Sequence, residues 1–239
     1  MVDATAADIT ERQARRAPDP RAQGAWGRLK AYGLWPVLLL LVGATALYVY
    51  AVRLPYALSF QQHYTAIIPG WEAFNKSVLV VHILTALPPL VLGWIGFSKR
   101  MRKRSLEFHR WVGTFYCYGI WISAVTGFAL GSQHDNGWGT RAGYCALATA
   151  WFVTTWIAYR RARQRNIPAH RQWMIRSYAV TLAVITVRPI TFVPTYFEVD
   201  PVMFALVMSW ACWLPNVVLA EVYVRSTDFR GRLLRWQAA

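Results

Sequence analysis

The feature that most constrains this chain is an alternation. Runs of 18–22 residues without a charged side chain are separated by short clusters of Lys and Arg. A run of that length, coiled as a helix, matches the hydrocarbon thickness of a bilayer. In lipid only helices and closed barrels satisfy their own backbone. Six spans can be placed: Leu34–Val52, Val78–Phe97, Trp111–Gly131, Ala142–Tyr159, Gln172–Val193, which carries Arg176 and Arg188, and Val202–Val224, which carries Glu221 near its end. The expected fold is therefore all-α, a polytopic membrane bundle of six transmembrane helices. Residues 1–33 form a basic, loosely ordered tail before it, 34–224 the membrane domain, and 225–239 a basic tail after it.

Composition agrees with this reading. The chain of 239 residues is 56% hydrophobic and only 15% charged, where a soluble domain carries about a quarter charged residues. A soluble enzyme and a disulfide-stapled secreted scaffold are excluded. Cys117, Cys145 and Cys212 sit singly in apolar runs, with no C-x-x-C pair, so no thiol redox motif or cysteine metal site is indicated. The net charge of +15 does not point to nucleic acid, because the basic residues gather at span ends and no glycine-rich phosphate loop is present.

Their distribution gives an orientation. Twenty-one of the 26 Lys and Arg fall in the N-terminal tail, the second and fourth connections and the C-terminal tail; Arg53, Lys76 and Arg141 alone fall in the others. Positive charge favours the cytoplasmic side, so both termini are expected there. No apolar signal-peptide core precedes a cleavage site, and the expected location is a bacterial cytoplasmic (inner) membrane. The first outer connection carries Tyr56, Phe60, His63, Tyr64, Trp71 and Phe74 and is expected to lie along the membrane interface.

A weak internal echo singles out two histidines. The third span opens Glu107-Phe-His-Arg-Trp-Val-Gly-Thr-Phe-Tyr116 and the fifth Ala169-His-Arg-Gln-Trp-Met-Ile-Arg-Ser-Tyr178. Both spans run in the same direction, so His109-Arg110 and His170-Arg171 are expected at one depth on one side. Three readings of this pair stand side by side. The residues can be interfacial anchors. They can be the two axial ligands of a haem b, with Arg110, Arg171 and Arg176 near its propionates. Or two parallel helix starts can hold an anion such as a lipid phosphate.

His82 lies a turn inside the second span, where an ionisable side chain is costly and marks a functional candidate. Arg176 needs a partner for the same reason: Glu221, at similar depth on the sixth span, is expected to supply it, or else Arg176 is expected to face a cofactor or a lipid phosphate. Pro88-Pro89 removes two backbone donors from the second span and predicts a kink there. Deep carboxylates are almost absent, which lowers the rank of a proton-coupled carrier.

Taken together, Val81-His82 leading to Gly93, His109-Arg110-Trp-Val-Gly113-x-x-Tyr116, His170-Arg171-x-Trp173-Met174-x-Arg176-Ser177-Tyr178-Ala179 and Val187-Arg188 resemble a bacterial predicted-membrane-protein family of unknown function over about residues 78–190. The resemblance implies a compact helical bundle. The histidines on several helices are loosely similar to four-helix haem b cytochromes and ferric-reductase-like membrane proteins. This chain lacks the two deep histidine pairs of that pattern, so the likeness implies a single haem at most. A non-enzymatic accessory subunit of a respiratory or photosynthetic membrane complex is the alternative expectation, suggested by 13 Trp and the aromatic outer connection. A lipid- or anion-binding membrane protein is the third.

Overall fold

A computed structural model describes residues 35–55, 72–190 and 197–236. The tail at 1–33 and the aromatic connection at 56–71, with His63, lie outside the described residues. Those that are described are helical, with no strand among them. The chain divides at Leu41/Val42 into two units. The described part of the first, Trp35–Leu41, belongs to helix α1, Trp35–Tyr48, which passes into a π-helical turn over Val49–Arg53. The second unit holds α2 (Glu72–Phe97), α3 (Lys99–Arg104), α4 (Leu106–Ser132), α5 (Trp138–Arg163), α6 (Ile167–Thr181), α7 (Ala183–Ile190), α8 (Pro201–Ala211) and α9 (Leu214–Trp236).

Three helical stretches are long and apolar enough to cross a membrane: Phe74–Phe97, Leu106–Ser132 and Pro201–Thr227, with mean hydropathies of 2.1, 1.2 and 1.8. α5 is as long as α2 but carries three arginines in its last turn. The last stretch is interrupted at Cys212-Trp213 because Pro215 has no N–H to offer the Ala211 carbonyl. α9 then continues to Trp236, through the segment assigned from sequence to a tail.

Helix starts are marked by caps that satisfy free amides of the first turn. Ser105 Oγ accepts from the Phe108 amide at 3.1 Å and Asn166 Oδ1 from the Ala169 amide at 3.2 Å. Asp200 Oδ1 accepts from the Met203 amide at 2.7 Å, with Pro201 at the first helical position.

The core is a ring of four helices. α2 packs on α4, α4 on α5, α5 on α6, and α6 returns to α2; α8 lies against α5 and α9 against α6. α4 and α6 thus run parallel across the ring. α2 continues as a helix through Pro88 and Pro89. Pro89 leaves the Thr85 carbonyl without its usual helical donor. Gly119 of α4 comes against that carbonyl, where a methyl group would stand 3.0 Å from the oxygen and 2.9 Å from Pro89 Cγ. Absence of a side chain there is what allows α2 and α4 to approach.

Large apolar side chains such as Trp111, Phe115, Ile122, Val125, Val218 and Leu219 are exposed along the outside. Ser123, Thr155, Ser177 and Ser209 are fully buried. Polar groups turned inward and apolar ones outward suit a lipid surround.

Candidate functional site

The centre of the ring is a hydroxyl network. Tyr116 Oη, from α4, lies 2.9 Å from Ser177 Oγ and 3.3 Å from Thr181 Oγ1, both on α6. From α5, Thr155 Oγ1 lies 2.7 Å from Ser177 Oγ, and Trp151 Nε1 donates to Thr181 Oγ1 at 2.9 Å. Thr181 Oγ1 donates to the Ser177 carbonyl at 3.0 Å. Each buried hydroxyl has a partner, as burial in a low-dielectric core demands. Beside it Tyr178 Oη donates to the Leu90 carbonyl at 3.0 Å, tying α6 to α2.

This network fixes the register of α4 against α6. Seven residues before Tyr116 on α4 stands His109, and seven before Ser177 on α6 stands His170. Seven residues are close to two turns, or about 10 Å along each helix. The two histidines therefore share one depth at the basic end of the ring, near α3. Their local settings match as well. The His109 amide donates to the carbonyl of the cap residue Ser105 at 3.2 Å, and the His170 amide to that of the cap residue Asn166 at 2.9 Å. Arg102 of α3 and His170 are His109's neighbours at this end of the ring.

The His170 ring is held in one tautomer. Its Nδ1 lies 2.8 Å from the Ala158 carbonyl. A carbonyl only accepts, so Nδ1 carries a proton and Nε2 is the nitrogen left to face a ligand. Histidine ligands to metals are usually oriented in this way. Gly113, one turn beyond His109, has nothing within 4 Å of the position a methyl group would take, and Gly96 near the end of α2 is equally open. Arg110 and Arg171, beside the two histidines, are exposed.

Arg176 is committed elsewhere. Its Nε donates to Glu221 Oε2 at 2.8 Å, and its guanidinium stacks over Trp173 at 4.8 Å. Arg225, one turn further on α9, donates from Nε to Glu221 Oε1 at 2.7 Å. The structure thus brings Arg176 to Glu221. The Arg188 side chain lies outside the described residues.

His82 is separate. It sits in the other half of α2, with Nδ1 2.9 Å from the Ser123 carbonyl and 3.3 Å from Thr126 Oγ1. Its ring lies across Gly127, where a methyl group would stand 3.0 Å from Cε1. Thr85 Oγ1, 2.7 Å from Ser123 Oγ, completes this second polar cluster. Leu90 and Pro89, between His82 and the end of α2, and Ile120, between Tyr116 and Ser123 on α4, are fully buried. His134, in the connection after α4, stacks on Tyr144 at 5.2 Å between centroids.

Among the described residues, no three His, Cys, Asp or Glu side chains form a metal-holding group. Tyr116 and Ser177 stand in the two sequence strings that open the third and fifth spans. They gave no hint of Thr155 and Trp151, whose i, i+4 spacing on α5 is the signal that was there to be read. Arg225, one turn after Glu221, was equally visible as a second cation for that carboxylate.

The model of a family described as predicted membrane protein (DUF2306) matches residues 79–224, which take in α3 to α8, most of α2 and the first half of α9. No curated protein and no solved structure matches the chain.

Proposed function

The chain belongs to the DUF2306 family of predicted membrane proteins, and we propose that it is a six-span protein of the bacterial cytoplasmic membrane that holds one haem b between His109 and His170. Both termini and the histidine pair face the cytoplasm, where the Lys and Arg clusters place them. α1, α5 and α6–α7 complete the six spans beside the three stretches of highest hydropathy.

One observation carries the haem reading: the Tyr116–Ser177 hydrogen bond sets two histidines at one depth on helices that face each other across the ring. Two histidines from opposed helices of a bundle are the ligand set of a low-spin haem b. The residues present fit such a group. The Ala158 carbonyl holds the His170 ring through Nδ1, which leaves Nε2 as the nitrogen that would ligate, and the open side of Gly113 next to His109 leaves room beside that helix. Arg110 and Arg171 are the cations nearest in sequence for propionates; Arg176 is held toward α9 by its bond to Glu221. A haem here supplies one-electron chemistry at the cytoplasmic face. The chain's own part is to fix the imidazole planes and to keep the core beyond them dry.

The test is a dithionite-reduced minus oxidised spectrum of the detergent-purified protein, with a pyridine haemochrome assay. The expected result is sharp haem b bands at near one haem per chain, lost in His109→Ala and in His170→Ala and kept in His82→Ala. A colourless protein from haem-replete cells, or bands that survive loss of both histidines, overturns the reading.

A second reading, an accessory subunit of a larger membrane complex, is favoured by the apolar groove that Leu206, Trp210, Leu214 and Val218 line at the break between α8 and α9. Migration of the protein from native membranes only at monomer size removes it.

A further inference from the structure

The two arginines on Glu221 are not balanced by it. Glu221 Oε2 accepts from Arg176 Nε at 2.8 Å and Oε1 accepts from Arg225 Nε at 2.7 Å. One carboxylate thus faces two guanidinium groups, and among the described residues a unit of positive charge is left over. Arg176 is the more sheltered, at 17% side-chain exposure against 79% for Arg225. An incompletely neutralised cation in a sheltered, low-dielectric place draws an anion to it.

The geometry favours a particular anion. Both bonds to Glu221 use Nε, so the terminal Nη donors of the two arginines are not spent on the carboxylate. Guanidinium groups pair with phosphate through such donors, two at a time. Trp173 lies beneath Arg176 and limits its swing. The site is also at the right height. The apolar stretch of the last helices ends at Thr227, so Arg225 lies in its final turn, where chain and headgroup meet. Arg176 reaches the same level from α6 across the α6–α9 crease.

We propose that this crease binds the headgroup phosphate of an anionic phospholipid, with Glu221 as the positioning residue that holds Arg176 and Arg225 side by side. The excess charge favours a headgroup that brings a net negative charge over a zwitterionic one. The site does not depend on the haem reading; it shares no side chain with the histidine pair.

The full chain is to be incorporated into bilayers of mixed phosphatidylcholine and phosphatidylglycerol, released, and its retained lipid counted by native mass spectrometry. Wild type is expected to retain phosphatidylglycerol preferentially. Arg225→Gln is expected to lower that retention about fivefold, the worth of one interfacial arginine. Arg225→Lys is expected to lower it as well, because an ammonium group lacks the planar fork. Arg225 is exposed, so both variants are expected to unfold at the wild-type temperature, which separates lost binding from lost structure. Equal retention of the two lipids by wild type overturns the proposal. So does unchanged retention in Arg225→Gln. Full retention in Arg225→Lys overturns it too, since charge alone then suffices. Displacement of the lipid by inorganic phosphate alone assigns the crease to a free anion and overturns the lipid assignment.

Discussion

Tyr116 of α4 and Ser177 of α6 meet at 2.9 Å between oxygens in the centre of the ring, each exposed by 1% or less. The two helices are parallel and do not follow one another in the chain, so this contact sets how far one is slid along the other. A hydroxyl–hydroxyl bond is selective for register in a way that apolar contact is not. A slip of one residue would strand both groups in a dry core, at about 1–3 kcal/mol each. The depth of His109 against His170, two turns below, follows from it.

Removing that hydroxyl tests its weight. Tyr116→Phe keeps the ring in place and leaves Ser177 its bond with Thr155 at 2.7 Å, so the network loses one member without collapsing. The expected cost is about 1–1.5 kcal/mol, or a melting temperature lower by roughly 2–5 °C for a chain of this size. Thermal unfolding in detergent measures it. An unchanged midpoint means that the register is set by the apolar contacts of Cys117 and Ile120 instead.

Two glycines in the same region are expected to respond in opposite senses. A methyl group on Gly93 would overlap the ring of Tyr178, with Tyr116 Cε2 close behind at 3.1 Å. Neither ring can yield freely, since each is held by its hydroxyl. Gly93→Ala is expected to destabilise by about 1–3 kcal/mol. Gly113→Ala meets nothing within 4 Å and is expected to stabilise by about 0.5–1 kcal/mol through the helix preference for alanine. Unfolding in a graded detergent series compares the two. A loss at Gly113 as large as that at Gly93 contradicts the open space beside it.

Much of this architecture was legible beforehand, because an apolar run of bilayer length has few alternatives to a helix. The echo between His109-Arg110 and His170-Arg171 was visible for a similar reason: each histidine sits four residues after a capping residue, Ser105 or Asn166, and caps have a sequence signature. The interior was harder to read. Thr155 lies on a helix that also carries Thr149 on an exposed position, and only the packing of α5 against α6 decides which hydroxyls turn inward. The interruption at Leu182 between α6 and α7 has no proline or glycine to announce it, whereas the one before Leu214 could be inferred from Pro215. Hydropathy also falls short for α5, because a helix that buries Thr140, Thr155 and Gly143 spends its polar residues on the core.

The shared carboxylate gives a graded set of outcomes. Glu221→Ala leaves the sheltered guanidinium of Arg176 without its 2.8 Å partner and is expected to cost about 1–3 kcal/mol. Arg176→Met with Glu221→Leu removes the charges together and is expected to recover most of that loss. Arg225→Gln, at the exposed end, is expected to change stability by no more than about 0.5 kcal/mol. Thermal unfolding of the three variants against wild type gives the comparison. If the double variant falls as far as Glu221→Ala alone, packing at this crease matters more than charge.

The pH dependence of stability is expected to carry a signature of His134. Its pKa lies below the ordinary value of 6.5, chiefly through burial, with Asp135 pulling the other way and Arg141 adding to the fall. Its Nδ1 accepts the Asn136 amide at 3.4 Å, a bond open only to the neutral ring. Well above pH 6.5 the ring is neutral whether the chain is folded or not, and it contributes nothing. As pH falls through 6.5 the unfolded chain takes up a proton that the folded chain resists, so stability declines. The decline ends once pH has passed below the folded value and both forms are charged. Melting temperatures measured from about pH 7.5 to about pH 5 are expected to drop more steeply for wild type than for His134→Gln, which keeps a polar side chain and does not titrate. Parallel curves for the two proteins place the titrating group elsewhere.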